Sequence, residues 1–367
     1  MKSPIELRHL LHQNPETSFN EVKTTKLLIE SIEDLAKEYN IKLNVLTPLN
    51  TGLIVVYNPS FQNSYTLFRA DIDALPIKEQ TNCDFSSKND NMHACGHDVH
   101  MSILYGFMKY IFENKIQKNF IFLFQPGEEG GGGAKLILDS KVLENFDIKN
   151  AYALHVTDEY SIGTIATTKG VLFASAMEID IEFYGKAAHI AFPQDGLDSF
   201  KAARLFFNAV ESLPKNPIEP FVFGIGKVKS GNVRNVISDY TKLEGSIRTL
   251  SMKKAEKFKN KLIKILNGIK DITNVDFKIS IGSFYKEVIN DDNMYNKQID
   301  KIKNFKIIDC GYKMTGEDFG FIAEKYPSLM FWLGTGGKKV GLHSPKFLPN
   351  DDVIEIGINL FKNLINE

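Results

Sequence analysis

The chain of 367 residues has three cysteines, Cys83, Cys95 and Cys310, and a single tryptophan. The cysteines are odd in number, widely spaced and without a CxxC pair, which argues against a disulfide framework and fits a reducing compartment. No stretch reaches the roughly 18 uninterrupted apolar residues of a membrane span. The opening MKSPIELRHLLHQNPE also lacks the apolar h-region of a secretion signal, so a soluble, cytoplasmic protein is expected. Charge imbalance is missing too: 44 Lys and Arg against 45 Asp and Glu leave a formal net charge of -1. Nothing in that balance attracts nucleic acid or an anionic membrane, so any partner must be met at a local site.

What is present is an alternation of elements. Apolar residues at Ile5, Leu7, Leu10 and Leu11, then at Val22, Leu27, Leu28, Ile32 and Leu35, suit two amphipathic helices separated by NPETS. The runs GLIVVY, YTLFRA, FIFLF, AYALH and LMFWLG look like strands, with helical stretches such as SILYGFMKYIFENK and GAKLILDSKVLENF between them. Strands alternating with helices predict an α/β domain with a largely parallel sheet and helices on both faces. From about Ala174 the order becomes βαββαβ, the ferredoxin-like motif, and it ends near Tyr285. The expected organisation is a catalytic α/β domain over residues 1–173 and 285–367, interrupted by an inserted α+β domain over 174–284.

In open α/β sheets ligands bind where the carboxyl ends of the strands and their loops converge. Asp71 and Asp73 follow one strand, Glu128 and Glu129 another, His155 ends a third, and a glycine-rich loop leads from a fourth to His343. The segment NMHACGHDVH adds Cys95 and His97 ahead of a helix, with His93 and His100 as neighbours. On its residues alone this segment admits three readings: a metal site, a thiol nucleophile with its base, or a crowded helix start. The set as a whole suits borderline metals, Zn and also Mn, Co or Ni. Adjacent Glu128 and Glu129 fit a division of labour in which one carboxylate coordinates and the other takes a proton from water. GEEGGGGAK lacks the spacing and the Lys-Ser/Thr ending of a phosphate loop, and its glycines are expected to let backbone approach the metal centre.

The motifs RADIDALP, MHACGHD, FQPGEEGGGGA, ALHV, GKAAHIAFP, GNVRNVI, LEGSIRT, TGEDFG and VGLHSPKF occur in an order that resembles the M20 metallopeptidase family, in particular its amidohydrolase branch. The resemblance spans nearly the whole chain. It implies a catalytic domain with an inserted lid domain that also mediates homodimerisation, and two divalent metal ions per subunit. By position, Cys95 is similar to a bridging thiolate ligand. His97, His155, Glu129 and His343 resemble the remaining ligands, and Glu128 the general base. Asp73 and Asp71 are expected to orient a ligating imidazole. His189 matches a lid histidine that stabilises the oxyanion at the partner subunit's site. Asn235 and Arg248 resemble a clamp for the substrate's free carboxylate. His9 and His12 are expected to be structural, and Glu317 and Asp318 of GEDFG to shape a loop. Ala187 and Ala188 replace common glycines, and Gln194 a frequent histidine, which bears on the shape of the lid loop rather than on the metals.

The implied activity is removal of an acyl group from a small-molecule N-acyl amino acid. Within the branch the sequence looks most like enzymes that convert N-acetyl-diaminopimelate to diaminopimelate and acetate. The alternatives are an aminoacylase or hippurate hydrolase of the same family, a cysteine hydrolase using Cys95, and a non-catalytic metal-binding protein.

Overall fold

Apolar runs with no polar break form the centre of one sheet, because strands buried on both faces tolerate no alternation. The structure, a computed structural model, describes residues 1–60, 62–214 and 220–366. In chain order its strands are Asn44–Leu46 (β1), Leu53–Tyr57 (β2), Tyr65–Asp71 (β3), Asn119–Gln125 (β4), Ile148–Thr157 (β5), Thr164–Thr167 (β6), Gly170–Phe173 (β7), Ser175–Tyr184 (β8), Phe221–Ser230 (β9), Tyr240–Thr249 (β10), Asp276–Tyr285 (β11), Val288–Asn290 (β12), Lys306–Asp309 (β13) and Ser328–Gly334 (β14). The chain divides into two units. The first comprises Met1–Leu172, Val288–Tyr312 and Asp318–Glu367; the second comprises Phe173–Glu287 and Lys313–Glu317.

The first unit holds an eight-stranded sheet in the order β1-β2-β4-β3-β5-β14-β6-β13, and β7 pairs with β12 in a separate ribbon. The four central strands, β4, β3, β5 and β14, are mutually parallel, whereas β2 and β6 join them antiparallel. Every residue of β2, β4 and β14 is buried. Parallel pairing places the carboxyl ends of the four central strands on the same side. Helix His97–Glu113 is buried along nearly its whole length and packs on Pro4–His12 and Asp352–Ile365.

The second unit is a four-stranded antiparallel sheet in the order β11-β8-β10-β9, with helices Ser199–Glu211 and Met252–Thr273 packed on it. Numbered within the unit that order is 4-1-3-2, the ferredoxin-like arrangement read from the sequence.

Two details depart from the sequence reading. GAKLILDSKVLENF is not one helix: Gly133–Asp139 ends at Ser140, Lys141 turns left-handed with φ of 59°, and Val142–Asn145 is a separate 3₁₀ turn. Strands β1, β6, β7, β12 and β13 have three or four residues each. That is too short for an alternation of period two to show.

One buried ionic cluster fastens the N-terminal helix to the sheet unit. Arg8 Nε donates to Asp98 Oδ2 at 3.1 Å, and His12 places Nδ1 3.0 Å from the same oxygen and Nε2 3.2 Å from Glu79 Oε1. Burial alone would lower the His12 pKa, but Asp98 and Glu79 outweigh it and raise it from 6.5 to about 10. The folded protein therefore keeps a proton that the unfolded chain releases above 6.5. Stability from this group is complete below that pH and is lost as pH rises towards about 10. In metal-free protein, urea unfolding across this window should show His12 contributing a fall of up to about 1.4 kcal/mol per pH unit. His12→Gln should remove that part of the slope; an identical slope in the variant contradicts the assignment.

Candidate metal centre

Cys95 and His97 flank Gly96, which caps helix His97–Glu113 with φ of 84°. A Cβ at Gly96 would lie 2.3 Å from Val156 Cγ2, so only glycine lets the helix start approach the end of β5 this closely. That approach brings Cys95 Sγ to 3.4 Å from His155 Nε2 on β5, and to 3.4 Å from His343 Nε2. Sγ of Cys95, a carboxylate oxygen of Glu129 and a ring nitrogen of His343 all lie within 4.8 Å of one another. A ring nitrogen of His97 and carboxylate oxygens of Glu128 and Glu129 meet the same condition. Sequence-remote residues thus gather at one rim, with Glu129 common to both groups and Cys95 between two imidazoles.

The ring tautomers follow from their partners. His97 Nδ1 lies 2.8 Å from the carbonyl oxygen of Asp73, and His155 Nδ1 lies 2.8 Å from that of Val156. A carbonyl only accepts, so each Nδ1 carries its proton and each Nε2 is directed to the cluster. His97 Nε2 is buried and has no hydrogen-bond partner among the described residues. His100 is different: Nδ1 donates to Asp71 at 2.6 Å and Nε2 accepts the Val156 N–H at 2.9 Å, so neither nitrogen is left to ligate. His93 is buried, with both nitrogens unpartnered among the described residues, and burial lowers its pKa to about 4.

Asp73 and Asp71, expected to orient a ligating imidazole, lie against His97 and His100 respectively. Asp73 holds His97 through its backbone carbonyl and places its carboxylate Oδ1 3.3 Å from His97 Nδ1, while Oδ2 accepts from Ser18 Oγ at 2.7 Å and from the Glu129 N–H at 2.9 Å. It therefore positions Glu129 as well as His97. Asp71 grips His100 and comes only to 3.6 Å from His97 Nε2. Behind it Arg69 donates to Asp71 Oδ2, Asp318 Oδ1 and Gln125 Oε1, each at 2.9 Å. Asp318 also accepts from Gln125 and from the Ala134 N–H. All four side chains are buried, and an unpaired guanidinium there would cost on the order of 3 to 5 kcal/mol. Asp318 is thus a scaffold residue, as its motif suggested. Two glycines that flank the Glu128–Glu129 pair make room for a ring: a Cβ at Gly127 or Gly131 would lie 2.5 or 1.9 Å from Phe19.

Electrostatics favour a cation in the cluster. Burial alone would lower the His97 pKa, yet Asp71, Asp73 and Glu129 raise it to about 10. The pocket thus holds a proton where nothing else positive is present. Burial, then Glu129 and Glu128, push the Cys95 thiol well above its usual range, and burial pushes His155 well below its own. A neutral thiol beside a neutral imidazole is the opposite of an activated cysteine nucleophile. A bound divalent ion would reverse the balance, because metals deprotonate the thiols that ligate them. Glu129 Oε1 and His97 Nε2 are buried without a hydrogen bond among the described residues, Glu129 Oε1 lying 3.2 Å from His343 Nε2, and each can offer a lone pair to an ion that displaces the His97 proton. The residues fit a metal.

Two features of the rim were not read from the sequence. Trp332, the single tryptophan, sits on β14 opposite His155 with ring centroids 5.1 Å apart. Asp158 accepts the N–H groups of Val340 and Gly341 at 2.6 and 2.8 Å, fixing the loop that delivers His343 at φ of 64°. The other three expected site residues belong to the second unit. His189 and Asn235 are exposed on adjoining segments, joined by the bond from Ile190 N–H to the Asn235 carbonyl at 3.0 Å. Arg248 lies on β10, and a Cβ at Gly316 would meet its Nη1 at 2.5 Å.

A parallel α/β sheet that brings thiol, imidazole and carboxylate donors to its strand ends, paired with a ferredoxin-like unit, is the architecture of a metal-dependent peptidase or amidohydrolase. Residues 67–367 match the model of peptidase family M20/M25/M40, and the chain belongs to that family of hydrolases. It is 39% identical to an N-acetyldiaminopimelate deacetylase of Geobacillus sp. (strain WCH70), over 98% of this chain and 96% of the relative. It is 38% identical to an N-acetyldiaminopimelate deacetylase of Exiguobacterium sibiricum, over the full length of both. Among solved structures it resembles a Bacillus subtilis protein described as a dinuclear metal binding peptidase from the M20 family. That likeness has a TM-score of 0.84 and 28% identity, and covers 98% of this chain and 96% of that one.

Proposed function

We propose that the chain is a dinuclear metal-dependent amidohydrolase that releases acetate from N-acetyl-diaminopimelate. The observation that carries the chemistry is the placement of Glu128 and Glu129 beside the ring nitrogen of His97, with Glu129 also beside Cys95 and His343. In this reading Cys95, His97, Glu129, His155 and His343 hold two divalent ions, of Zn, Mn, Co or Ni. Such ions, when bound, acidify water and polarise the amide carbonyl. Glu128 takes the proton of the attacking water and delivers it to the leaving amine, and with the second water proton following, water and amide become carboxylate and ammonium.

The second unit supplies substrate contacts. His189 accepts the Ala191 N–H on Nδ1 at 3.1 Å, which leaves Nε2–H as the donor an oxyanion needs. Arg248 and Asn235 hold the substrate's free carboxylate. Ile190, Phe192, Phe200, Val222 and Val228 of this unit are exposed, which supports a homodimer formed through it. Among the described residues no helix is long and apolar enough to cross a membrane, and with three free cysteines we place the enzyme in the cytoplasm.

The substrate rests on the full-length relatives. An aminoacylase or hippurate hydrolase would share the centre and differ in the pocket. The deacetylase reading expects kcat/KM for N-acetyl-diaminopimelate to exceed that for hippurate or N-acetyl-methionine by at least about 100-fold, the scale on which the shape of an apolar pocket alone discriminates. Preference for the benzoyl substrate would replace the substrate assignment while leaving the chemistry standing.

A further inference from the structure

A second group of metal-ligating atoms lies in the first unit, outside the centre described above. His12, Glu79 and Cys83 each present a ligand atom within 4.8 Å of the others. His12 Nε2 is 3.2 Å from Glu79 Oε1, and Cys83 Sγ is 3.8 Å from the same oxygen. With bonds of about 2.0 Å to nitrogen or oxygen and about 2.3 Å to sulfur, a tetrahedral zinc has edges of roughly 3.3 Å for N to O and roughly 3.5 Å for S to O. Two of the three edges are thus close to those of such a tetrahedron, and the third, from a His12 ring nitrogen to Cys83 Sγ, is no longer than 4.8 Å. We propose that His12, Glu79 and Cys83 form an additional site for a thiophilic divalent ion such as Zn²⁺, with water in the fourth position.

The surroundings are those of a built site. Asp98 Oδ2, 3.0 Å from His12 Nδ1, fixes the ring and its tautomer, as carboxylates do for ligating histidines, and Arg8 holds that carboxylate in turn. Glu79 is fixed by the Ser87 N–H at 2.6 Å and by the Thr81 hydroxyl. Ser86 Oγ donates to the Cys83 carbonyl at 2.6 Å and lies 3.5 Å from Cys83 Sγ, which holds the turn that carries the thiol. The side chains of His12 and Glu79 are 1% and 4% exposed, whereas Cys83 is only half-buried, so the ion and its water have a route in on the thiol side. In the metal-free protein a proton on His12 Nε2 occupies the position of the ion. Binding of one dication releases that proton and the thiol proton, and cross-links helix Pro4–His12 to the loop carrying Glu79 and Cys83.

The test is alkylation of the full chain by iodoacetamide, with and without Zn²⁺ alone, read peptide by peptide by mass spectrometry. Zn²⁺ is expected to slow modification of Cys83 at least about tenfold in the wild type, and to lose that effect in Glu79→Gln. Equal rates at Cys83 with and without Zn²⁺ overturn the proposal, and so does protection that survives in Glu79→Gln. Should Glu79→Gln not fold, Cys83→Ser serves instead: it must bind one Zn²⁺ fewer than the wild type, and equal binding overturns the site. Cys95 lies on a different peptide, so failure at Cys83 is distinguishable from failure of the main centre.

Discussion

Glu128→Gln should lower turnover by about 100- to 10,000-fold while leaving metal binding intact. Glutamine has the same shape and remains a hydrogen-bonding group, but it cannot take a proton from water at neutral pH. The five proposed ligands do not include Glu128, so the donor set survives the change. Trp332 supplies the control: its ring lies 5.1 Å from that of His155, so its emission should report an ion arriving at that imidazole. The variant should show the fluorescence change of the wild type on metal addition and almost no product. Undiminished activity would remove Glu128 from the chemistry. Loss of the fluorescence change would make it a ligand instead of a base.

Removal of metal should have the other large effect. Dialysis against a chelator should abolish hydrolysis of any N-acyl substrate, and Zn, Mn, Co or Ni should restore it. The reason lies in the charge balance of the rim. Without an ion the Cys95 thiol is driven towards its neutral form by burial and by Glu129 and Glu128, and His155 is held neutral by burial. Neither the thiol nor this imidazole then supplies the positive charge that would acidify water and polarise a carbonyl. A bound ion should also stabilise the fold by about 2.7 kcal/mol at a concentration 100 times its dissociation constant, seen as a rise in the unfolding midpoint. A chelated enzyme that keeps its rate, and loses it to a thiol reagent, would favour the cysteine hydrolase.

Much of the fold was legible because two central strands of the larger sheet carry uniformly apolar runs. FIFLF and LMFWLG have no polar face to confuse the period, and βαββαβ order is enough to specify the ferredoxin-like sheet. The donors were legible because each follows such a strand or opens a helix, where loops converge. What holds the donors was not. Asp73 and Val156 orient their histidines through backbone carbonyls, which no residue type announces. His100 and His97 look alike in the sequence, and only the Val156 N–H on Nε2 separates the scaffold ring from the proposed ligand. Arg69 and Asp318 did leave a trace: a charge inside the run YTLFRA must find a buried partner, though nothing local says that the partner lies 249 residues away. The pairing of His12 with Glu79 and Cys83 is likewise long-range and invisible to spacing.

The most direct test of the central claim is native mass spectrometry of metal content on the Cys83→Ser chain, which lacks the additional site. The account predicts two divalent ions per chain, and fewer than two after His97→Ala or His155→Ala. A chain that takes up no ion, or that keeps both when these imidazoles are removed, would contradict it.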